Sequence, residues 1–150
     1  MPNLADNKQA LYDYQILEEF EAGLVLSGPE VKSVKLGHLS LKGSFVSIKD
    51  GRAYLKNMHI SSYKKAKLSQ RDYQAEHDRQ LLLKKKEVDY LLGKSKEKAL
   101  TIVPISVYTT RRLIKVKIAL ARGKKKFDKR QAIKTRDLNR EIARKLKTLS

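Results

Sequence analysis

The residue types that most often carry out chemistry are few in this chain, and they are not spaced for catalysis. The three histidines, His38, His59 and His77, have no partner at the spacing of a metal site and no nucleophile beside them. The chain has no cysteine, which excludes thiolate metal sites and disulfides. The carboxylates of the segment 18–21 are close together, but such a run is typical of a solvated strand face. The sequence therefore predicts a protein that is not an enzyme and that needs no metal or other cofactor.

Positive charge, in contrast, is abundant and unevenly distributed. The 150 residues include 34 Lys and Arg against 16 Asp and Glu, which gives a formal charge of +18. Residues 122–150 contain 12 of these cations and 3 of the acids, so the last fifth of the chain carries half of the net charge. Because like charges at this density repel one another unless a polyanion offsets them, the pattern favours a nucleic-acid partner. An anionic membrane surface is the alternative.

The sequence contains no signal that directs a chain into or across a membrane. No apolar run approaches the roughly 20 residues of a membrane span. The N-terminus lacks the apolar core of a signal peptide. Together with the absence of cysteine, which agrees with a reducing compartment, these features predict a cytoplasmic protein with no membrane partner.

The part of the chain before the basic C-terminus has the pattern of a compact, mainly β domain. Short segments with alternating or β-branched apolar residues predict strands within 12–26, 39–49, 52–60, 100–108 and 113–121. Their order fits an OB-like antiparallel β-barrel of about six strands with inserted short α-helices and a basic C-terminal tail. A ferredoxin-like sheet is the alternative, but it requires a more regular alternation of strands and helices.

Local signals locate one turn and two helices in this domain. Asp50-Gly51 predicts a two-residue hairpin loop. Ser27 and Glu30 have the spacing of a capping box, and Gly37 suits the left-handed position after a helix. We therefore predict a short helix that begins after Ser27 and ends before Gly37. The segment Arg79–Leu92 can place its apolar residues on one side and predicts a second helix that ends at Gly93.

The chain is expected to divide into three parts. Residues 1–10 are polar and are expected to be flexible, residues 11–127 should form the barrel domain, and residues 128–150 should form the tail. The tail has only a narrow apolar stripe, whose burial cannot offset the ~1–2 kcal/mol per residue of backbone ordering. We expect it to be disordered alone and helical when bound to RNA or to a ribosome-like surface.

The junction between domain and tail, Gly123–Arg130, combines five cations and one carboxylate with a single aromatic ring. A base stacked on such a ring contributes ~1–3 kcal/mol. For Phe127, which lies outside any predicted strand, stacking or docking is at least as good an interpretation as packing. For Tyr14, Phe45 and Tyr54, core or cross-strand packing is the better one.

Seven short stretches together resemble the small protein B family, the tmRNA-binding proteins of bacterial trans-translation. Each stretch is a weak signal alone, but they occur in the family's order over about residues 8–140. They are Asp13-Tyr14, Glu19-Phe20-Glu21-Ala22-Gly23-Leu24, Glu30-Val31-Lys32-Ser33, Asp50-Gly51, Leu81-Leu82-Leu83, Leu120-Ala121-Arg122-Gly123-Lys124-Lys125 and Asp128-Lys129-Arg130.

The resemblance implies both a fold and a role. It implies an OB-like barrel that binds the tRNA-like domain of tmRNA, and a tail that enters the vacant decoding centre and mRNA channel of a stalled ribosome. Alanine-charged tmRNA would then accept the stalled peptide and supply a tagging frame. Elongation factor Tu and alanyl-tRNA synthetase would be indirect partners, through tmRNA, and the protein itself would catalyse nothing.

The resemblance, together with the charge pattern, also indicates which residues bind. Lys84, Tyr12 and Phe127 occupy positions where family members often carry histidine, asparagine or tyrosine, so Lys84 would make a phosphate contact and Phe127 would keep only stacking. The expected RNA-binding residues are Glu21, Leu82, Lys84, Gly123, Lys124 and Lys125. The expected ribosome-contacting residues are Tyr12, Phe127, Asp128, Lys129, Arg130, Lys134 and Arg136.

Two other functional classes share part of this pattern. A general OB-type RNA-binding protein or a ribosomal protein would also have a basic tail and salt-sensitive binding. A protein that binds anionic membranes would need larger apolar anchors than the tail provides.

Overall fold

The computed structural model describes residues 3–63, 72–124, 136 and 138–144. These residues form nine strands and three short helices between Asn3 and Gly123, and residues 138–144 are also helical. The elements are β1 (Asn3–Asp6), α1 (Lys8–Asp13), β2 (Tyr14–Leu24), α2 (Gly28–Lys35), β3 (Leu39–Ser40), β4 (Phe45–Lys49), β5 (Arg52–Lys56), β6 (His59–Ile60), β7 (Arg79–Leu82), α3 (Lys85–Ser95), β8 (Leu100–Thr110) and β9 (Leu113–Gly123).

A single antiparallel sheet dominates the molecule. Its strand order is β1-β8-β9-β2-β7-β5-β4, and β3 pairs with β6 in a small second sheet. The edge strand β4 also packs against β8, so the sheet curls around its apolar side. The predicted mainly β, antiparallel fold with short inserted helices is confirmed. The main sheet has seven strands in the described residues rather than about six, because β1 and β7 have no alternating apolar pattern.

The core lies on one side of this sheet. Because side chains alternate along a strand, Ala22 and Leu24 of β2 are buried while their neighbours are not. The helices contribute Val34 and Leu91, both fully buried in the same cluster.

A second apolar cluster covers the opposite side of β8 and β9. Helix α1 contributes Ala10, which packs with residues of both strands. Strand β8 is therefore buried on both faces, and its sequence is continuously apolar rather than alternating. The cluster comprises Ala10, Val103, Ile105, Ala119 and Ala121, with Tyr14 and Ile16 packed against it.

The local signals for α2 and for the β4–β5 turn are confirmed. The Glu30 amide donates to the Ser27 hydroxyl oxygen (3.4 Å), and the Ser27 amide donates to the Glu30 carboxylate (3.1 Å), which completes the capping box. Gly37 has a φ of 80° at the C-terminal end. Asp50 and Gly51 have φ values of 52° and 74°, as a two-residue hairpin loop requires.

The prediction of a helix over Arg79–Leu92 is wrong in its first part. Arg79–Leu82 form β7, which pairs with β2 on one side and with β5 on the other. Helix α3 begins only at Lys85 and continues through Gly93 to Ser95. A short apolar run fits a strand or a helix equally well, and here the backbone groups of β2 and β5 require a paired strand between them.

The segment 1–10, for which we predicted flexibility, contains secondary structure from Asn3 onwards. Residues Asn3–Asp6 pair with β8 as an edge strand. The buried side chain of Asn7 donates to the Pro104 carbonyl (2.9 Å) and accepts from the Ala10 amide (3.2 Å), which starts α1. The polar composition of this segment gave no signal for β1 or α1. A single asparagine, Asn7, joins the strand to the helix.

Candidate nucleic-acid interface

The side of β2 that faces away from the core is polar, and Glu21 lies at its centre. Ala22 and Leu24 point into the core, so Glu19, Glu21 and Gly23 point the other way. The neighbouring strands contribute Leu82 from β7 and Lys115 and Lys117 from β9 to the same side, as their register with β2 shows. We call these six residues, Glu19, Glu21, Gly23, Leu82, Lys115 and Lys117, the Glu21 face.

Two neighbours hold the carboxylate of Glu21 in place. The Tyr108 hydroxyl donates to Glu21 Oε2, and Lys115 Nζ lies 3.8 Å from Oε1. Burial, together with the adjacent Glu21 carboxylate, raises the pKa of Tyr108 to about 12, so its hydroxyl remains a donor at neutral pH. The Glu21 side chain is still 53% exposed. It is therefore an oriented carboxylate that remains accessible to a ligand.

A second ion pair neutralises the other lysine of this face. Lys117 Nζ lies 3.7 Å from Glu19 Oε2. The two lysines of β9 are thus each matched by an acid of β2, and the face is less basic than the net charge suggests. A carboxylate repels phosphate, so on a nucleic-acid surface it serves to accept hydrogen bonds from base N–H groups or ribose hydroxyls.

Leu82 adds an apolar contact to this polar surface. It is the register partner of Gly23, and it is 57% exposed. A Cβ atom at Gly23 would lie 3.3 Å from the Leu82 Cβ, so the glycine lets the leucine lie close against β2. An exposed leucine in this position offers a surface on which a base or a ribose can pack.

The third expected RNA contact on this side of the molecule, Lys84, lies just beyond Leu82. Lys84 precedes α3, and its amide donates to Glu87 Oε1 (3.2 Å). Lys84, Lys85 and Lys86 are all exposed. The structure therefore brings Glu21 and Leu82 together, with Lys84 two residues beyond Leu82 along the chain. It adds two further exposed lysines that the sequence analysis did not select.

Gly123 and Lys124 lie at the other end of β9. Gly123 is the register partner of Tyr14, six residues along β9 from Lys117, which is the partner of Glu21. At ~3.3 Å per residue, this corresponds to about 20 Å. Lys124 Nζ donates to the Leu11 carbonyl (3.2 Å), beside the half-buried Tyr12 of α1. The structure thus places Lys124 with Tyr12 rather than with Glu21.

The remaining predicted residues are mostly not described. Arg136 is exposed and helical, as are residues 138–144. Within that helix, Leu138 is 57% exposed and Ile142 is 48% exposed. The expected contacts Lys125, Phe127, Asp128, Lys129, Arg130 and Lys134 lie outside the described residues.

A buried ion pair that sequence reasoning missed positions β7. The Arg79 side chain is fully buried, and its Nε and one terminal nitrogen donate to Glu30 Oε2 at 2.9 and 2.7 Å. Tyr73 donates to the same oxygen (3.0 Å), and His77 Nε2 lies 2.8 Å from it. The pair ties the strand that carries Leu82 to α2. Its only sequence signal was the capping-box glutamate.

Electrostatics at this pair favour the charged form of Glu30. Burial acts to raise the pKa of the carboxyl, but the hydrogen bond from the Ser27 amide and the charge and hydrogen bonds of Arg79 outweigh it and lower the pKa to about 2. Burial and the adjacent Glu30 raise the pKa of Tyr73 to about 12. Both groups therefore keep their hydrogen-bonding roles throughout the physiological pH range.

Neither a metal centre nor a membrane span is found in the part of the chain that the structure describes. No group of three or more His, Cys, Asp or Glu side chains there could hold a metal ion. No helix among those residues is long and apolar enough to cross a bilayer.

Comparison with known proteins gives a consistent result over nearly the whole chain. The family model of the SmpB protein matches residues 4–148. The SsrA-binding protein of Sulfurihydrogenibium sp. (strain YO3AOP1) is 51% identical over 144 residues, which cover 96% of this chain and 93% of the relative. The SsrA-binding protein of Thermosipho melanesiensis is 49% identical over 148 residues, which cover 98% of this chain and 99% of the relative.

Comparison with solved structures agrees with this assignment. One chain, from the structure described as "tmRNA-SmpB: a journey to the center of the bacterial ribosome", matches with a TM-score of 0.67 and 41% sequence identity. The match covers 86% of this chain and 93% of the other. From the family model, the relatives and the fold together, the chain belongs to the SmpB protein family.

Proposed function

We propose that the protein binds the tRNA-like domain of tmRNA and delivers it to stalled ribosomes for trans-translation. The observation that carries this proposal is the Glu21 face, where Tyr108 and Lys115 orient an accessible carboxylate. Curated relatives about half identical to this chain are SsrA-binding proteins. The family is one of RNA-binding proteins rather than enzymes, and the role requires no catalytic group.

The chemistry of the Glu21 face suits a folded RNA better than an unstructured strand. Glu21 accepts hydrogen bonds from base or ribose donors, Leu82 packs against a base or a sugar, and Lys84 contacts a phosphate. Folded RNA is recognised by its shape and by splayed bases rather than through a deep groove. A few directed contacts on a rigid sheet can therefore select one RNA.

The net charge supplies affinity that does not depend on sequence. Each phosphate that a lysine or arginine neutralises releases counterions, so log K falls by ~0.7–0.9 per phosphate for each unit of log salt concentration. With a formal charge of +18, binding should weaken steeply as salt rises. Specificity then comes from the contacts at Glu21 and Leu82.

The proposal assigns the second partner, the ribosome, to the tail. Residues 128–150 would enter the vacant decoding centre and mRNA channel, with contacts from Phe127, Asp128, Lys129, Arg130, Lys134 and Arg136, and with Tyr12 from the body. In support, Tyr12 and Lys124 lie about 20 Å along the sheet from the Glu21 face, at the end from which the tail departs. Elongation factor Tu and alanyl-tRNA synthetase would act only through tmRNA, and the site of action would be the cytoplasm.

Sequencing the RNA that the purified full-length chain retains from a bacterial lysate tests the proposal directly. Selective retention of tmRNA over the far more abundant tRNA is the expected result. Equal capture of any single-stranded RNA would indicate a general OB-type RNA-binding protein instead. Retention in ribosomes after high-salt washing, without tmRNA, would indicate a ribosomal protein.

A further inference from the structure

The two hairpin loops of the main sheet have the same length but opposite chemistry. The β4–β5 loop is Asp50-Gly51, and the β8–β9 loop is Arg111-Arg112, between the paired residues Thr110 and Leu113. Two-residue hairpin loops of the favoured type need positive φ at both positions, for which Asp-Gly and Asn-Gly are the preferred sequences. The chain therefore uses a favoured pair in one loop and an unfavoured pair in the other.

The backbone of the second loop is strained accordingly. Arg111 has a φ of 55° and Arg112 a φ of 144°, both in the region that favours glycine. Non-glycine residues persist in such conformations only where the surrounding structure imposes them, and they concentrate at functional sites. The positive φ angles of these two arginines therefore lower the stability of the fold. A role in binding would explain why arginines occupy both positions.

Both guanidinium groups are available to a ligand. Arg111 and Arg112 are exposed, and neither has an ion pair or a side-chain hydrogen bond with any residue that the structure describes. The lysines farther along β9 differ, because Lys115 and Lys117 are each paired with a glutamate of β2. Among the residues described, the loop thus adds two unpaired positive charges beside the paired lysines of the Glu21 face.

The loop is also close to the proposed RNA surface. Lys115, which contacts Glu21, follows Arg112 by three residues, about 10 Å along β9. Leu113, between them, is 60% exposed. An RNA that lies on the Glu21 face can therefore extend its backbone over the loop, where arginine matches phosphate geometry better than lysine does.

We propose that Arg111 and Arg112 form a phosphate-binding clamp that holds the backbone of the same RNA as the Glu21 face. This inference rests on the proposed function, and it adds a contact that the family motifs do not include. The clamp supplies sequence-independent affinity, while Glu21 and Leu82 supply recognition. The RNA concerned is the tRNA-like domain of tmRNA, not ribosomal RNA.

The test replaces the clamp with the sequence that the turn itself prefers. In the Arg111→Asn/Arg112→Gly variant of the full-length chain, the turn should be relaxed and the melting temperature equal or higher. Affinity for the transcribed tRNA-like domain should fall roughly tenfold or more, and the slope of log K against log salt should decrease by about two. An Arg111→Lys/Arg112→Lys variant should retain most of the salt slope.

A matched variant separates a specific clamp from a general loss of charge. Lys96→Gln/Lys98→Gln removes two exposed positive charges at the opposite end of β8 and should leave the affinity within about twofold. The clamp is overturned if Arg111→Asn/Arg112→Gly binds the RNA fragment as tightly as the wild type does. It is also overturned if Arg111→Asn/Arg112→Gly and Lys96→Gln/Lys98→Gln lose affinity equally. Failure of the wild-type chain to bind the fragment would overturn the proposed function and the clamp with it.

Discussion

At the scale of single residues, a carboxylate on a strongly basic protein needs an explanation, and Glu21 has one in its geometry. It is held by a buried hydroxyl and by an ammonium group, yet half of its side chain remains accessible. Packing does not require an exposed carboxylate to be held in one orientation by two partners. The arrangement therefore suggests that Glu21 recognises a hydrogen-bond donor of a ligand.

Glu21→Ala should therefore weaken binding of the tRNA-like domain without unfolding the sheet. Loss of a hydrogen bond to a charged group corresponds to about 1.5–3 kcal/mol, or roughly 10- to 100-fold in affinity. Fluorescence anisotropy measures the affinity, and circular dichroism measures the fold. Glu97→Ala, which removes an exposed acid outside the Glu21 face, is the matched control and should bind nearly as the wild type does. A collapsed dichroism spectrum for Glu21→Ala would make that residue merely structural.

Glu30 gives a prediction of a different kind, because it is buried and its role is in stability. Its pKa is about 2 in the folded chain against an ordinary value of 4.5. The folded state therefore binds this proton less readily than the unfolded state does. The stabilisation is fully present above about pH 5 and is lost as the pH falls towards 2, a change on the order of 3 kcal/mol.

Glu30→Gln should remove this pH dependence and should also lower stability at neutral pH by about 3 kcal/mol or more, because Arg79 is left as a buried charge without its partner. Urea unfolding at several pH values measures both effects. The groups that face Glu30 are Arg79, His77 and Tyr73. Glu97→Gln, at an exposed acid, controls for the change in net charge. A difference between wild type and Glu30→Gln that stayed constant with pH would contradict the assignment.

At the scale of elements, the sequence predicted what local chemistry determines. The capping box of α2 and the Asp50-Gly51 turn depend on residues a few positions apart, and both form as predicted. Strand β7 depends instead on partners more than 20 residues away in sequence, Leu24 and Leu55, and its apolar run alone fits a helix equally well. The Glu21–Tyr108 contact is equally non-local. The family motif pointed to the glutamate but not to its partner.

Helix α3 provides a direct check of the corrected boundary. Gly93 was expected to end the helix, but it lies inside α3, where no heavy atom would lie within 4 Å of an added Cβ. Gly93→Ala should therefore stabilise the protein by about 0.5–1 kcal/mol, because alanine loses less conformational entropy in a helix. Thermal unfolding measures this change. A lower melting temperature would place the end of the helix before Gly93.

Gly23→Ala should instead lower the stability of the protein. It also tests the binding surface, because Gly23 of β2 lies against Leu82. The added Cβ would lie 3.3 Å from that of Leu82, so the leucine must shift. Because Leu82 is more than half exposed, the cost in stability should stay near 1 kcal/mol while RNA affinity decreases. Unchanged affinity would argue against the Leu82 contact.

At the scale of the whole molecule, the described residues proposed for the two partners lie at separate places. The Glu21 face and Tyr12 are about 20 Å apart along the sheet. Half of the net charge lies from Arg122 onwards. On the proposed function, the body and the tail would therefore contact different RNAs at the same time.

Deleting residues 131–150 should leave affinity for the isolated tRNA-like domain nearly intact but abolish tagging on stalled ribosomes. The deletion starts beyond β9, so no strand loses a partner. Binding assays with the RNA fragment and a reconstituted tagging reaction measure the two activities separately. A charge-matched replacement of the segment with a lysine- and glycine-rich linker is the control and should not restore tagging. Equal loss of RNA binding and of tagging on deletion would contradict separate roles for the body and the tail.

The long pairing of β2 with β9 has a consequence for how the protein is made. Tyr14 pairs with Gly123 and Gly23 with Lys115, so the sheet joins segments that are roughly 100 residues apart in sequence. Contacts so distant in sequence slow folding, and they cannot form until β9 has been synthesised and has left the ribosome. A protein proposed to rescue stalled ribosomes would thus become able to bind RNA through this sheet only after β9 has emerged from the ribosome. Protease resistance of nascent chains arrested with β9 still inside the exit tunnel, and of chains whose C-terminal linker places β9 outside it, should show this transition.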